Sequence, residues 1–225
     1  AMGLARLNSD GSFDATFSTD FQLNTEVPNL AVQPDGKILA AGGIYRPSNP
    51  TMSADGLVRL LPNGAPDPSF NAYTLDGFSA YSYFDDAIQL LPDGKILALG
   101  GNTGSAHGVV RLLANGAPDP SFPTGASMLR QYSLKRLSNG RILVGGLSEY
   151  GQTGLVSPPL LELTDTGTLL AGFQPIIQAE GNVMELARQP DGKLLLAGYF
   201  TEMNGQPAAG LARLNADGTA DASFA

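Results

Sequence analysis

The chain has 225 residues, 43% of them hydrophobic, with 28 glycines, 16 prolines, one histidine, no cysteine and a formal charge of −8. This composition suits a globular all-β protein with frequent turns, and it excludes disulfides, thiol catalysis and zinc–thiolate sites. An acidic balance without a basic run argues against nucleic acid as a partner, and no apolar run is long enough to cross a bilayer as a helix.

The first predicted element is a hairpin at 6–14. A three-residue loop of Ser9, Asp10 and Gly11 pairs Asn8 with Ser12, Leu7 with Phe13 and Arg6 with Asp14. Gly11 then takes the left-handed position of a type I turn with a bulge, where glycine carries no Cβ penalty. The hairpin recurs at 58–70, 110–122, 161–173 and 212–224, and Arg6, Arg59, Arg111, Glu162 and Arg213 follow one another at 53, 52, 51 and 51 residues.

A second hairpin alternates with it at 31–39, 91–97, 137–143 and 189–195. Its turn reads Pro34-Asp35-Gly36-Lys37, Pro92-Asp93-Gly94-Lys95, Ser138-Asn139-Gly140-Arg141 and Pro190-Asp191-Gly192-Lys193. Proline presets φ, Asp or Asn caps the turn and glycine supplies positive φ. The alternating oxygen ligands of a calcium loop are missing from these turns, so no metal is expected there. Each turn leads into an apolar strand ending in small residues, as at 38–43, 96–101 and 142–146. Such endings let backbones approach closely where blades crowd around an axis.

Two hairpins per period of about 52 residues give four short strands per repeat, a length close to that of a propeller blade. The predicted fold is an all-β propeller of four-stranded antiparallel blades, about four to five in number, in one domain over 1–225. Repeats run roughly over 3–55, 56–107, 108–155 and 156–209, with a half repeat at 210–225. Five copies of one hairpin against four of the other leave the count odd, which points to a longer array or a partner chain engaging the terminal hairpins.

The spacing also predicts cross-strand ion pairs Arg6/Asp14, Arg59/Asp67, Arg111/Asp119 and Arg213/Asp221, each eight residues apart. In the odd copy Glu162 and Leu170 replace both partners together, as a structural pair would require.

The run Gln-Pro-Asp-Gly-Lys-Ile-Leu, then Gly-Gly, a loop, and Ala-Arg-Leu-Asn-x-Asp-Gly-x-x-Asp-x-x-Phe resembles the delta-60 repeat of bacterial secreted and surface proteins. The clearest copy lies at 189–218. The resemblance implies a β-propeller, export by bacteria with an extracellular or cell-surface location, and a role in interactions; it brings no catalytic motif and no cofactor. The start, Ala1-Met2-Gly3, carries no basic segment followed by an apolar stretch, so no export signal is read there.

Function is therefore sought in the unrepeated connections at 18–28, 44–55, 71–85, 123–131, 147–155, 174–182 and 199–209, expected at the end of the blades opposite the turns. The richest, at 71–86, brings Tyr73, Phe78, Tyr81, Tyr83 and Phe84 beside Asp76, Asp85 and Asp86. Tyr45, Tyr150 and Tyr199 stand in other connections. Aromatic rings beside carboxylates suit glycan stacking or a protein hot spot, and equally the small core that a long loop needs. The one histidine, His107, stands beside serines without a placed acid and reads as a surface or loop residue. Paired carboxylates of a glycoside hydrolase could come from Asp55, Asp76, Asp85, Asp86, Glu149, Glu180 or Glu202, but no spacing selects two. The expectation is a non-enzymatic binding or scaffold module, with a lectin-like module and a hydrolase as alternatives.

Overall fold

The computed structural model describes residues 4–19, 22–23, 29–45, 54–71, 73–74, 88–101, 107–123, 131–146, 160–170, 177–178 and 182–224, with backbone alone at 22–23, 43–45, 54–55, 73–74, 100–101, 107, 131–132 and 177–178. Over these residues the chain is all β. The first sheet holds β1 (Gln22–Leu23), β2 (Asn29–Val32), β3 (Ile38–Tyr45), β4 (Ala54–Leu60) and β5 (Tyr73–Thr74), with β3 at its centre. The second is β6 (Ile88–Leu90), β7 (Ile96–Gly101) and β8 (His107–Leu112). The third is β9 (Gln131–Arg136), β10 (Ile142–Gly146) and β11 (Leu160–Leu163).

After β12 (Ile177–Gln178), the fourth blade is built by β13 (Asn182–Arg188), β14 (Leu194–Tyr199) and β17 (Leu211–Leu214). A small side sheet joins β12 to β15 (Glu202–Met203) and β16 (Gln206–Pro207). All these pairings are antiparallel, and those across a tight turn, such as β2 with β3 and β6 with β7, must be.

First strands of successive blades pack in series, β2 against β6, β6 against β9 and β9 against β13, which is the radial arrangement of a propeller. Gln89 fixes one of these steps: its Nε2 donates to the Leu134 carbonyl at 2.9 Å and its Oε1 accepts from the Arg136 amide at 2.6 Å. Between blades, Leu39, Leu57, Ile96, Leu97, Leu112 and Leu134 belong to one buried cluster, and Leu143, Leu160, Val183, Leu196 and Leu214 to a second. Each such side chain withdrawn from water contributes about 1.5–3 kcal/mol.

The small residues that end these strands have two separate causes. A Cβ on Gly145 would come within 3.0 Å of Val183 Cγ1 in the next blade and 2.7 Å of Ser133 Oγ, so this glycine serves blade-to-blade approach. A Cβ on Gly198 would lie 1.9 Å from the Asn182 carbonyl of its own blade, where the β13–β14 register shifts between Val183 and Glu185.

In one respect the blades differ from the four-stranded expectation. The fourth strand shrinks to a single bridge at Leu60↔Pro66, Leu112↔Pro118, Leu163↔Leu169 and Leu214↔Ala220. Pro66 and Pro118 have no N–H to extend a ladder. The chain also turns again at once, with the Phe70 amide bonded back to the Asp67 carbonyl and Phe122 to Asp119.

Candidate functional site

Both repeated hairpins close with the same turn. In the first type, Gly11 N–H bonds to the Asn8 carbonyl and Asn8 N–H to Ser12; in the second, Gly36 N–H bonds to Gln33 and Gln33 N–H to Lys37. The Asp or Asn of each turn is needed because its Oδ1 accepts the amide two residues on, from Asp10 to Ser12, Asp35 to Lys37, Asn63 to Ala65 and Asp191 to Lys193. Within a blade the two turns are neighbours: a Cβ on Gly36 would touch Pro62 at 3.4 Å, and one on Gly94 would touch Ala114 at 3.7 Å. The turns thus share one end of the blades.

That end carries the charges. Arg59 Nε donates to Asp67 Oδ2 at 2.8 Å, its Nη2 donates to Ser69 Oγ at 3.2 Å, and the Phe70 ring centre lies 4.6 Å from its guanidinium carbon. Lys37 Nζ, from the other hairpin of the blade, reaches Asp67 Oδ2 at 3.3 Å. Arg111, Asp119, Ser121, Phe122 and Lys95 repeat this arrangement, with 2.8 Å from Arg111 Nε and 3.0 Å from Lys95 Nζ to Asp119 Oδ2. Arg213, Asp221, Ser223, Phe224 and Lys193 repeat it again at 2.6 Å and 2.8 Å.

Three of the arginines also reach forward. Arg6, Arg59 and Arg111 donate through Nη1 to the carbonyls of Pro62, Ala114 and Asp165 in the next hairpin. The aromatic ring moves with it. A Cβ on Gly64 would meet Phe17, on Gly116 Phe70 and on Gly167 Phe122, at 2.8 to 3.2 Å. The amides of Ser18 and Asn71 add bonds to the Asn63 and Asn115 carbonyls. Arginine and phenylalanine therefore staple each of the first three hairpins to its successor, and a backbone amide joins the first two of these junctions.

The odd copy is rewired. Glu162 stands in the arginine position, and Arg141, in the lysine position of the turn, donates to its two oxygens at 3.2 and 3.3 Å. The carboxylate has moved to the arginine position and the turn keeps its cation, so Glu162 and Arg141 neutralise each other. The contacts of Lys37, Lys95, Lys193 and Arg141 escaped the sequence reading, as did those of Thr16, Ser69, Ser121 and Ser223 and of the phenylalanines three residues after each aspartate. Their fixed offsets in the repeat were the available signal.

These carboxylates are held ionised. Burial alone would raise Asp67, but the Ser69 hydroxyl and amide, Arg59 and Lys37 outweigh it and drive its pKa far below the ordinary value. Asp119 is pulled down by Ser121 first and then by Lys95 and Arg111, and Asp221 by Lys193 first and then by Ser223 and Arg213. A carboxylate so occupied neither donates nor accepts a proton near neutral pH. Among the described residues no group of three His, Asp or Glu side chains forms a metal-binding cluster. A hollow of about 450 Å³ beside the last hairpin, lined by Asn204, Gln206, Asp217 and Thr219, carries one carboxylate. Its Oδ1 is already occupied by the Thr219 amide and hydroxyl.

At the opposite end, Tyr199 closes β14 and is 72% exposed. Tyr45 closes β3 at the corresponding end, and Tyr73 opens β5 beside Leu57. Phe78, Tyr81, Tyr83, Asp85, Asp86 and Tyr150 lie outside the described residues, as do Phe84, Asp76, Glu149 and Glu180. His107 is the first residue of β8, opposite Gly101, and Asp55 in β4 faces Gly43 across the ladder. The connection at 199–209 is itself a small hairpin on Asn204-Gly205, both at positive φ, pairing Met203 with Gln206. It buries Phe200 and Met203 and leaves Tyr199 to solvent.

A family model described as a beta-propeller domain of unknown function, DUF5122, matches residues 1–17, 33–70, 91–122 and 189–224. Two solved structures are similar at 14% identity, which speaks to the fold alone. A protein of unknown function from Bacteroides caccae has a TM-score of 0.51 over 95% of this chain and 71% of its own. PorZ, an essential bacterial surface component of the type-IX secretion system of Porphyromonas gingivalis, has a TM-score of 0.50 over 93% of this chain and 29% of its own. No curated protein sequence matches.

Proposed function

We propose, from the premise that this chain belongs to the DUF5122 beta-propeller family, that it is a non-enzymatic interaction module of an exported bacterial protein, binding protein or glycan on the face of its unrepeated connections. One observation carries the reading. The repeated Arg, Lys and Asp side chains engage one another and the adjoining turns at one end of the blades, while Tyr199 at the other end presents 72% of its surface to water. A rigid scaffold with its charges neutralised internally, and an exposed tyrosine at the far end, supports a binding face there. That PorZ is a bacterial surface component agrees with an extracellular setting.

The test is a glycan array run beside a pull-down from bacterial surface extract, with Tyr199→Ala and Tyr81→Ala as controls. The reading expects saturable binding in one arm, weakened at least about tenfold, or roughly 1.4 kcal/mol, by a tyrosine change that leaves the unfolding midpoint unaltered. Absence of binding in both arms would overturn it. So would glycan turnover abolished by a single carboxylate-to-amide change.

A further inference from the structure

Three Arg/Asp hairpins and the Glu162 copy are each flanked by the second hairpin of their own blade: β4 pairs with β3, β8 with β7, β11 with β10 and β17 with β14. Among the described residues the first hairpin, at 4–17, has no such neighbour, and its only bridge is its own Leu7↔Phe13. The consequence is visible at one position. Leu60, Leu112, Leu163 and Leu214 are at most 2% exposed, whereas Leu7, which occupies the same place, is 57% exposed.

Charge tells the same story. Asp67, Asp119 and Asp221 each take an arginine from their own hairpin and a lysine from the flanking turn, and their side chains are 3 to 8% exposed. Asp14 takes Arg6 and Thr16 and is 17% exposed, with no lysine among its contacts within the described residues. An apolar side chain, a strand edge and a carboxylate are thus open together, and elsewhere in this chain one kind of element covers all three.

We propose that the edge formed by residues 4–7 is a docking site for one further Asp-Gly-Lys hairpin of this repeat type. The hairpin adds antiparallel to the edge, its returning strand covers Leu7, and its lysine joins Arg6 on Asp14. The register follows from β14 on β17, where Leu194, Leu195, Leu196 and Ala197 face Leu214, Arg213, Ala212 and Leu211. Transferred to the open edge, the same four residues face Leu7, Arg6, Ala5 and Leu4. A second copy of the chain laid edge to edge offers no equivalent, since all four of its Asp-Gly-Lys-type hairpins already lie inside blades. The inference is independent of what the opposite face binds.

The experiment adds a synthetic peptide of residues 182–199 to the intact chain and follows amide hydrogen exchange together with the NMR signals of Leu7. The expected result is exchange at residues 4–7 slowed more than tenfold at saturation, with a shift of the Leu7 methyl signals. A peptide carrying Lys193→Met is expected to bind at least fivefold more weakly, and because the substitution is in the peptide, the folding of the chain is not at stake. Three results overturn the proposal: no protection of 4–7 at millimolar peptide, equal binding of the lysine-free peptide, or concentration-dependent dimerisation of the chain alone that protects the same amides.

Discussion

At the scale of single residues, Asp67 and Asp119 show why the repeated charges matter. Both are buried, and each is held by one arginine, one lysine and one serine. Removing one partner of a buried pair leaves the other uncompensated, which typically costs about 3–5 kcal/mol. Because the native pKa values lie below the ordinary 3.8, protons bind the unfolded chain first. This stabilisation is complete above 3.8 and is lost as pH falls through that value toward the native ones. Urea midpoints at pH 7, 4.5 and 3 are therefore expected to drop mainly over the last interval. Asp67→Asn should cost about 3 kcal/mol at pH 7 and flatten part of that drop. A stability profile falling instead near pH 6.5 would assign the dependence to a histidine.

At the scale of elements, the staple explains why turn glycines are not equivalent. Gly11 and Gly116 both have φ of +84°, so alanine at either is strained to a similar degree, by about 1–2 kcal/mol. Around Gly11 nothing among the described residues lies within 4 Å, whereas a Cβ on Gly116 would sit 2.3 Å from the Asn71 carbonyl and 2.8 Å from the Phe70 ring. Gly116→Ala is therefore expected to cost at least about 1 kcal/mol more than Gly11→Ala in urea unfolding, the usual lower range for overpacking. Equal costs would remove the blade-to-blade contact from the account.

The same contrast marks what could be read from the chain. Loop length, the Asp-Gly turns and the pairing of Leu7 with Phe13 follow from chemistry within nine residues, so they were legible. The bonds from Arg59 to Ala114 and from Lys37 to Asp67 join residues 55 and 30 positions apart, and their geometry depends on how separate hairpins pack, between blades for the first and within one for the second. The rewiring of Glu162 to Arg141 was hidden for the same reason. The unrepeated connections have no second copy to compare, so they named candidate residues such as Tyr199 and Tyr81 but no geometry.

At the scale of the whole molecule, the staples have a direction. The first three hairpins each give an arginine and a phenylalanine forward, received on a carbonyl and a glycine. The 161–173 hairpin, with Glu162 in the arginine position, interrupts the pattern. Leu211 of the last hairpin is 51% exposed, while its counterparts Leu57, Val109 and Leu160 are at most 1% exposed. Among the described residues the contacts that join hairpins lie at the turn end, whereas Tyr199 lies in solvent at the other end. Urea unfolding of Arg111→Met beside Tyr199→Ala tests this division most directly. Arg111→Met, which removes the bonds to Asp119, Ser121 and the Asp165 carbonyl, is predicted to cost about 3 kcal/mol. Tyr199→Ala is predicted to stay within about 0.5 kcal/mol of the unaltered chain. Equal stability of the two variants would contradict the assignment of the repeated charges to architecture.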